Sequence, residues 1–174
     1  AALLMVLALV KRFPYRWFAK THQLLALGYL ALVAHSVVLM RFSYWATPLG
    51  VVVALMMVGG SVAAAWVLLG RVGARRRVGA QVLSSEHFDA IDTLSTELQL
   101  DTGWAGHAAG QFAFVTLHED EGPHPYTLTS AWTGDGQLSF AIKALGDYTA
   151  SLPALLKLGD AVKVEGPYGR FTFE

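Results

Sequence analysis

The chain of 174 residues has a formal net charge of zero, and only 15% of its residues are charged, against about 25% in a typical soluble domain. It contains no cysteine, which excludes disulfide bonds, thiolate zinc sites and cysteine-ligated iron–sulfur clusters. Every acidic residue lies at or after Glu86, whereas all charged residues before it are basic. This asymmetry predicts an apolar, basic first part in a membrane and a polar second part in water.

Two long runs without a formal charge, 21–40 and 42–70, occupy most of the first part. A membrane-spanning helix needs about 20 largely apolar residues, so each run is long enough to span. The sequence 43–48 predicts a turn between them, and Pro48 suits the start of the second helix. The apolar run 1–10 resembles the end of a further helix, so we expect the sequence to be part of a longer protein.

Basic residues flank these runs unequally. They lie before the first run and after the second, at Lys11, Arg12, Arg16, Lys20, Arg71 and Arg75–Arg77. Arg41 alone lies between the runs. Cytoplasmic flanks of membrane helices are enriched in Lys and Arg, so we expect a multi-pass protein of the cell membrane with its polar part in the cytoplasm. A stop-transfer flank explains the arginines better than nucleic-acid binding does.

From residue 78 onward, short strands alternate with turn residues. The predicted strands are 78–88, 90–100, 111–117, 126–131, 137–144 and 161–165. One short helix is predicted at 150–158. This pattern favours an all-β, six-stranded antiparallel Greek-key barrel with one helix. The predicted domains are therefore a transmembrane helical region, 1–72, and a barrel, 73–174.

Two histidines, His22 and His35, lie inside the first apolar run. They are thirteen residues apart, which is about 20 Å along a helix and places them near opposite faces of a bilayer. Imidazole is a common axial ligand of haem iron. The same spacing puts them about 140° apart around the helix, so they do not share one narrow stripe. Two buried histidines bonded to neighbouring helices would also explain them.

The segment His124-Pro125-Tyr126-Thr127 places an aromatic ring beside a hydroxyl on a predicted strand. Such a pair can stack on a flat ring system and bond its edge, although Tyr-Thr pairs are also common in ordinary strands.

Further on, Lys143, Gly146 and Thr149 precede the predicted helix. A glycine-containing turn at a helix N-terminus can bind an anion, and an ordinary N-cap at Thr149 is the alternative. The run Gly166–Gly169, with sequence Gly-Pro-Tyr-Gly, predicts a rigid turn.

In this order and spacing, these segments and Gly110-Gln111-Phe112 resemble the FAD-binding domain of the ferredoxin–NADP reductase superfamily, over about residues 78–174. The first part is similar to the ferric reductase transmembrane domain shared with NADPH oxidases. There, the Arg16–His22 segment with a second histidine thirteen residues on resembles a helix that ligates two b-type haems.

The resemblance implies a role for each motif residue. Tyr126 stacks on the isoalloxazine ring, and Thr127 bonds near flavin N5, where hydride arrives. His124, followed by Pro125, faces the pyrophosphate at a position where many relatives carry Arg. Two further sets are implied, the phosphate side formed by Lys143, Gly146 and Thr149, and the path toward a nicotinamide domain formed by Gly166, Tyr168 and Gly169.

The implied activity passes electrons from NAD(P)H through FAD and two haem b groups to ferric iron or oxygen across the membrane. His22 would ligate the inner haem and His35 the outer one. The NAD(P)-binding domain and the partner haem ligands are expected outside this sequence. Two alternatives fit the same residues: a membrane-anchored flavin reductase without haem, and a non-enzymatic scaffold with a vestigial barrel.

Overall fold

The structure is a computed structural model that describes residues 15–173; in the first helix, side chains are described for residue 21 and from residue 23 onward. The chain divides into two compact units, Ala1–Val72 and Gly73–Glu174. The predicted helix end at 1–10 lies outside the described residues.

The first unit is helical. It contains α1 (Tyr15–Leu39), the one-turn helix α2 (Phe42–Trp45) and α3 (Pro48–Leu68). The Oη of Tyr29 on α1 lies 3.2 and 3.3 Å from the carbonyl oxygens of Met56 and Met57 on α3. Gly60 leaves room for the Tyr29 ring, since a Cβ at that position would overlap it. A side chain at residue 60 would therefore separate α1 from α3.

The start of α3 follows from its sequence. Pro48 is the first helical residue, and the Thr47 hydroxyl accepts a hydrogen bond from the Gly50 N–H at 3.0 Å. The predicted start at Pro48 is confirmed. The charge-free run 42–70 is not one helix, however, because proline lacks the N–H that a helix interior requires. Residues 42–45 instead form α2, where only a turn was expected.

Within the described residues, α3 is the one helix long and apolar enough to cross a membrane, with 21 residues and a mean hydropathy of 2.3. The apolar part of α1, Gln23–Leu39, is shorter. Large apolar side chains on both helices are exposed, among them Val38, Leu55 and Met56. Exposed apolar helix faces of this kind suit a lipid environment, by length and composition alone.

The second unit is an antiparallel barrel. Its strands are β1 (Arg77–Phe88), β2 (Thr93–Leu100), β3 (Phe112–Thr116), β4 (His124–Thr127), β5 (Gln137–Lys143) and β6 (Ala161–Tyr168), with a 3₁₀ turn at Ala74–Arg76 and the helix α4 (Asp147–Leu155). The strand order is β4-β3-β6-β1-β2-β5, and the bridge Leu128–Phe140 joins the two ends of that order. The predicted six-stranded antiparallel barrel is confirmed.

The barrel core follows from period-2 burial. Alternate residues of β2 and β5 point inward, including Leu98, Leu138 and Phe140, which are almost fully buried. Leu152 of α4 is also fully buried and belongs to the same cluster. The helix is therefore part of the barrel core rather than an appendage.

Several element bounds differ from the prediction. β2 begins at Thr93 rather than at residue 90, because residues 89–92 form a turn in which Asp92 has a φ of +49°. β4 covers His124–Thr127 rather than 126–131. Leu128 forms an isolated bridge to β5, and the chain then leaves the strand.

The predicted turn at Gly166–Gly169 is mostly strand. β6 continues through Tyr168, which pairs with Phe112, and only Gly169, with a φ of +90°, leaves the extended conformation. The β3–β6 register shifts between Phe112 and Phe114. A bulge tolerates a proline, which has no N–H for the ladder, so Pro167 does not end the strand.

Candidate functional site

Three aromatic rings from two separate segments stack beside β4. The His124 ring lies 4.8 Å from the Tyr148 ring and 6.4 Å from the Tyr126 ring, each at an interplanar angle of 25°. His124 and Tyr126 are two residues apart on β4 and point to the same side. Tyr148 is the second residue of α4. The stack thus joins two segments that the sequence singled out separately.

Some polar atoms in and near this part of the barrel are buried and have no hydrogen-bond partner within residues 15–173. His118 Nε2 and Tyr126 Oη have no hydrogen-bond partner among the described residues. The backbone of His118 interacts with the Tyr148 hydroxyl, which opposes the upward shift of its pKa. An unsatisfied buried polar group costs about 1–3 kcal/mol, so such groups are normally satisfied by water or a ligand. The cluster therefore fits a polar ligand, and a phosphate-bearing flavin is one.

The electrostatics of the cluster fix its protonation. Burial raises the pKa of the Tyr148 hydroxyl to about 12, and the Glu121 carboxylate adds to this shift. Burial, the Tyr148 hydroxyl and Glu121 also raise the pKa of Tyr126. Burial lowers the pKa of His124, although Glu121 opposes the change. At neutral pH the cluster therefore presents two phenol O–H groups and a neutral imidazole.

Thr127 and Pro125 point away from the stack and are exposed. One edge of β4 pairs with β3. Just after β4, Leu128 bridges Phe140 of β5, and the Thr129 N–H donates to the Ser139 carbonyl at 3.0 Å. Because Tyr126 and Thr127 point to opposite sides of β4, a flat ring that touches both must reach around an edge of the strand. The Tyr126 ring is half-buried against Phe140, with a centroid distance of 6.0 Å.

The Thr149 hydroxyl organises the start of α4. It accepts hydrogen bonds from the N–H groups of Leu145 (3.0 Å) and Gly146 (3.1 Å) and lies 3.1 Å from the Gly146 carbonyl. The N-cap is Gly146, so the alternative that placed the N-cap at Thr149 is wrong. A Cβ on Gly146 would meet open space, and Lys143 is exposed at the end of β5. The helix start is therefore open to an anion.

Barrel packing accounts for the Gly166–Gly169 segment. A Cβ on Gly166 would lie 3.3 Å from the Trp104 ring. The Tyr168 hydroxyl donates to Glu165 at 2.8 Å, and the Arg76 guanidinium lies 5.1 Å from the Tyr168 ring centroid. Gln111 Nε2 donates to the Gly169 carbonyl at 3.0 Å. Their implied role toward a nicotinamide domain stays a prediction.

Sequence reasoning passed over Tyr148, His118 and Glu121. Tyr148 lies between Gly146 and Thr149, two residues that the sequence assigned to a possible anion site. Its own contact, with His124, joins residues that are 24 positions apart in the sequence. No local pattern reports such a contact.

His107 connects the loop before β3 to the segment after β4. Trp104 Nε1–H donates to His107 Nδ1 at 3.2 Å, and His107 Nε2 lies 3.1 Å from the Ser130 carbonyl. Nδ1 must therefore carry the lone pair and Nε2 the proton. Burial lowers the pKa of His107, while the Ser130 contact and the Asp135 charge oppose this. The neutral ring is the form that the fold requires.

We expect acid to weaken the barrel through His107. Since its pKa in the folded state is below the ordinary 6.5, its stabilising contribution is present above that value and is lost as pH falls below it. Protonation also breaks the Trp104 hydrogen bond, worth about 0.5–1.5 kcal/mol. The unfolding midpoint of wild type should fall more between about pH 7 and pH 5 than that of His107→Gln. Equal falls in the two proteins would contradict this role.

The two membrane histidines differ in what the structure describes. His35 is exposed on α1 and lines a groove of about 650 Å³. Gly28, seven residues or about two turns earlier, lines the same groove. The side chain of His22 lies outside the described residues. Among those that are described, no group of three or more His, Cys, Asp and Glu side chains could hold a metal ion.

Comparison with known proteins agrees with this geometry. The family model described as "Oxidoreductase FAD-binding domain" matches residues 82–173. The cytochrome P450 reductase GcoB of Amycolatopsis is 24% identical with a TM-score of 0.50, and the match covers 57% of this chain and 30% of that one. That likeness shows the fold.

Two further solved structures match less closely in shape. The ferredoxin reductase in carbazole 1,9a-dioxygenase is 26% identical, with 53% and 29% of the two chains covered and a TM-score of 0.47. The cytochrome b5 reductase domain of Ulva prolifera nitrate reductase is 18% identical, with 57% and 43% covered and a TM-score of 0.44. No curated protein matches the chain.

This chain spans less than half the length of each of these structures. The family match, by contrast, covers more than half of this chain and includes the complete β4, the ring stack and the start of α4. The chain therefore belongs to the oxidoreductase FAD-binding domain family, and its second unit is a ferredoxin reductase-like FAD-binding barrel.

Proposed function

We propose that this protein is a membrane oxidoreductase that moves electrons from NAD(P)H through FAD and b-type haems to an acceptor across the membrane, either ferric iron or oxygen. The observation that carries the flavin part is the pair of buried polar atoms, His118 Nε2 and Tyr126 Oη, which have no partner among the described residues, in a chain that matches the oxidoreductase FAD-binding domain family. When bound, FAD converts a two-electron hydride donor into single-electron steps. The chain's own residues supply position, charge and exclusion of water.

Three residues of β4 have different roles in the proposed binding of FAD. Tyr126, backed by Phe140, offers a supported ring for stacking, and the exposed Thr127 hydroxyl can bond the edge of the flavin at N5. His124, in the position assigned to the pyrophosphate, is neutral at pH 7 and can donate from one ring nitrogen. It therefore recognises phosphate by hydrogen bonding rather than by permanent charge.

The start of α4 completes the phosphate side. The exposed Lys143 carries the positive charge that His124 lacks at neutral pH. The N-terminus of α4 adds the positive end of its helix dipole, and Gly146 keeps the approach open. Thr149 acts indirectly, since its hydroxyl is used to shape this turn.

The haem part of the proposal rests on His35. A polar ionisable group exposed on an apolar helix is costly in lipid and marks a functional site. Gly28 lies on the same face and leaves open space, since a Cβ there would meet nothing within 4 Å. His35 would supply the iron ligand, and the groove that it lines with Gly28 would give room for a flat macrocycle. His22 is the proposed ligand of the second haem.

One observation favours the alternative of a flavin reductase on a membrane anchor. Among the described residues, one helix alone is both long and apolar enough to span, and a single span suffices for an anchor. An absorption spectrum of the full-length protein separates the two functions. Flavin and Soret bands that both respond to anaerobic NADPH or NADH support the proposal. A flavin band without a Soret band supports the anchor, and the absence of both refutes each of them.

We further propose that residues 41–47 lie outside the cell membrane and the barrel in the cytoplasm, on the strength of the flanking basic residues. Since the chain has no cysteine, a single cysteine gives an unambiguous label. In intact cells an impermeant thiol reagent should label Ser43→Cys but not Asp120→Cys. The reverse pattern would refute the orientation.

A further inference from the structure

Tyr148 is outside the set of flavin residues that the family resemblance implies, yet it makes the closest ring contact in the barrel site. Its ring stacks on His124 at 4.8 Å, whereas the Tyr126 ring lies 6.4 Å away on the same strand. The imidazole therefore has two tyrosine rings within stacking range, of which Tyr148 is the nearer. Offset stacks with centroids 4.5–7 Å apart are the favourable arrangement of aromatic pairs, about 0.5–1.5 kcal/mol beyond burial.

The position of Tyr148 is itself fixed from two directions. The Thr149 hydroxyl closes the turn before the helix through two backbone N–H groups. Leu152, one turn further along α4, is fully buried in the barrel core. The start of α4 cannot shift without breaking one of these, so Tyr148 presents a rigid ring to His124.

His124 needs such a support because of its residue type. A guanidinium at this position would carry a permanent charge and could hold two phosphate oxygens at once. An imidazole offers one donor in the plane of its ring, so its hydrogen bond depends on how the ring is turned. Stacking of the Tyr148 ring on the imidazole face restricts that rotation, so the contact controls the direction of the ring edge.

We propose that Tyr148 is a positioning residue for His124, holding the imidazole edge toward the FAD phosphates by stacking on its face. This inference rests on the proposed flavin function. The Tyr148–His124 contact joins the start of α4 to β4, and both elements carry residues proposed to bind the phosphates.

Substitutions at Tyr148 test the stack in the full-length protein stripped of FAD and titrated with it. Tyr148→Leu, which removes the ring, should weaken FAD binding by roughly two- to ten-fold. Tyr148→Phe keeps the ring and should bind within about two-fold of wild type. Phe88→Leu, at a half-exposed aromatic residue of β1, is the matched control and should change nothing. If Tyr148→Phe loses as much as Tyr148→Leu, the hydroxyl contacts the ligand and the positioning role is wrong.

A double-mutant cycle with His124→Ala shows whether Tyr148 acts through His124. Residues that act as one unit are not additive, so Tyr148→Leu should cause little further loss once His124 is alanine. Additive losses would overturn the proposal. If His124→Ala binds FAD as tightly as wild type does, the assigned role of His124 is wrong. If Tyr148→Leu also leaves the affinity unchanged, the proposed phosphate site is wrong as a whole.

The pH dependence of FAD binding gives a readout that a purely structural role would not move. The titratable groups that lie close to the His124 ring are Glu121 of the loop before β4, Tyr126 and Tyr148. The backbone of His118 in the same loop interacts with the Tyr148 hydroxyl. Since protonated His124 attracts phosphate, affinity should rise as pH falls through its pKa. Tyr148→Leu exposes the ring and should move this rise to higher pH, whereas Tyr148→Phe should not. An unmoved profile in Tyr148→Leu would contradict the stacking role.

Discussion

Replacing Tyr126 with alanine should weaken FAD binding by roughly ten-fold or more. The loss has two parts, because the variant removes both the stacking interaction, about 0.5–1.5 kcal/mol, and the burial of a large ring. Tyr126 also supports the barrel through Phe140, so the variant needs a control for folding. FAD titration of the full-length protein, with the unfolding midpoint of the FAD-free form measured alongside, separates lost binding from lost stability.

Tyr126→Phe is the matched control for that loss. It keeps the ring and removes only the hydroxyl, whose oxygen is buried without a partner among the described residues. A hydrogen bond from this hydroxyl to the ligand is worth about 0.5–1.5 kcal/mol, so Tyr126→Phe should bind more tightly than Tyr126→Ala. Wild-type affinity in both variants would show that the Tyr126 ring does not face the flavin.

Substitution of Thr127 should slow reduction of the flavin more than it weakens FAD binding. Its exposed hydroxyl lies on the opposite side of β4 from Tyr126, at the edge where N5 is expected. In Thr127→Ala, FAD affinity should fall only modestly, by one neutral hydrogen bond, while stopped-flow reduction of the flavin should slow more. Thr127→Ser, which keeps the hydroxyl, should restore the rate. If the serine variant is as slow as the alanine variant, the methyl group rather than the hydroxyl matters.

The sequence predicts those parts of the structure that depend on local patterns. Alternation in β2 and β5 places their apolar residues in the core. The preference of proline for the first position of a helix places the start of α3 at Pro48. The turn predicted from Pro167 is wrong, because β6 continues through this residue and a register shift between β3 and β6 accommodates it. That shift depends on a partner strand about fifty residues away in sequence, which no local pattern includes.

The candidate site shows the same division. His124, Tyr126 and Thr127 stand in one short run, so their strand and its alternation can be read directly. The contact of His124 with Tyr148 depends on how α4 packs into the barrel, which is a property of the folded core. The role of Thr149 likewise depends on where α4 begins, because Thr149 is the third residue of that helix and its hydroxyl shapes the turn before it. Local sequence patterns place helix ends only to within one or two residues.

If the proposed ligation is right, replacing either His35 or His22 with alanine in the full-length protein should lower haem content by about half, since each substitution would remove one axial ligand of one haem. For His35 the structure supplies a reason, because its ring lies on an open apolar groove beside Gly28. The side chain of His22 lies outside the described residues, so its prediction rests on the sequence alone. Haem content per protein, from the reduced-minus-oxidised spectrum, is the measurement.

The control for this experiment is Val38→Ala, on the same helix, exposed, and outside the groove that His35 lines. It removes a comparable apolar surface from α1 without touching a ligand, so both haems should be retained. Loss of both haems from a histidine variant, with normal haem in Val38→Ala, would mean that the histidine supports the fold rather than one iron. Full haem content in both histidine variants would refute ligation. Flavin content should stay unchanged throughout, because the residues proposed to bind FAD all lie in the second unit, residues 73–174.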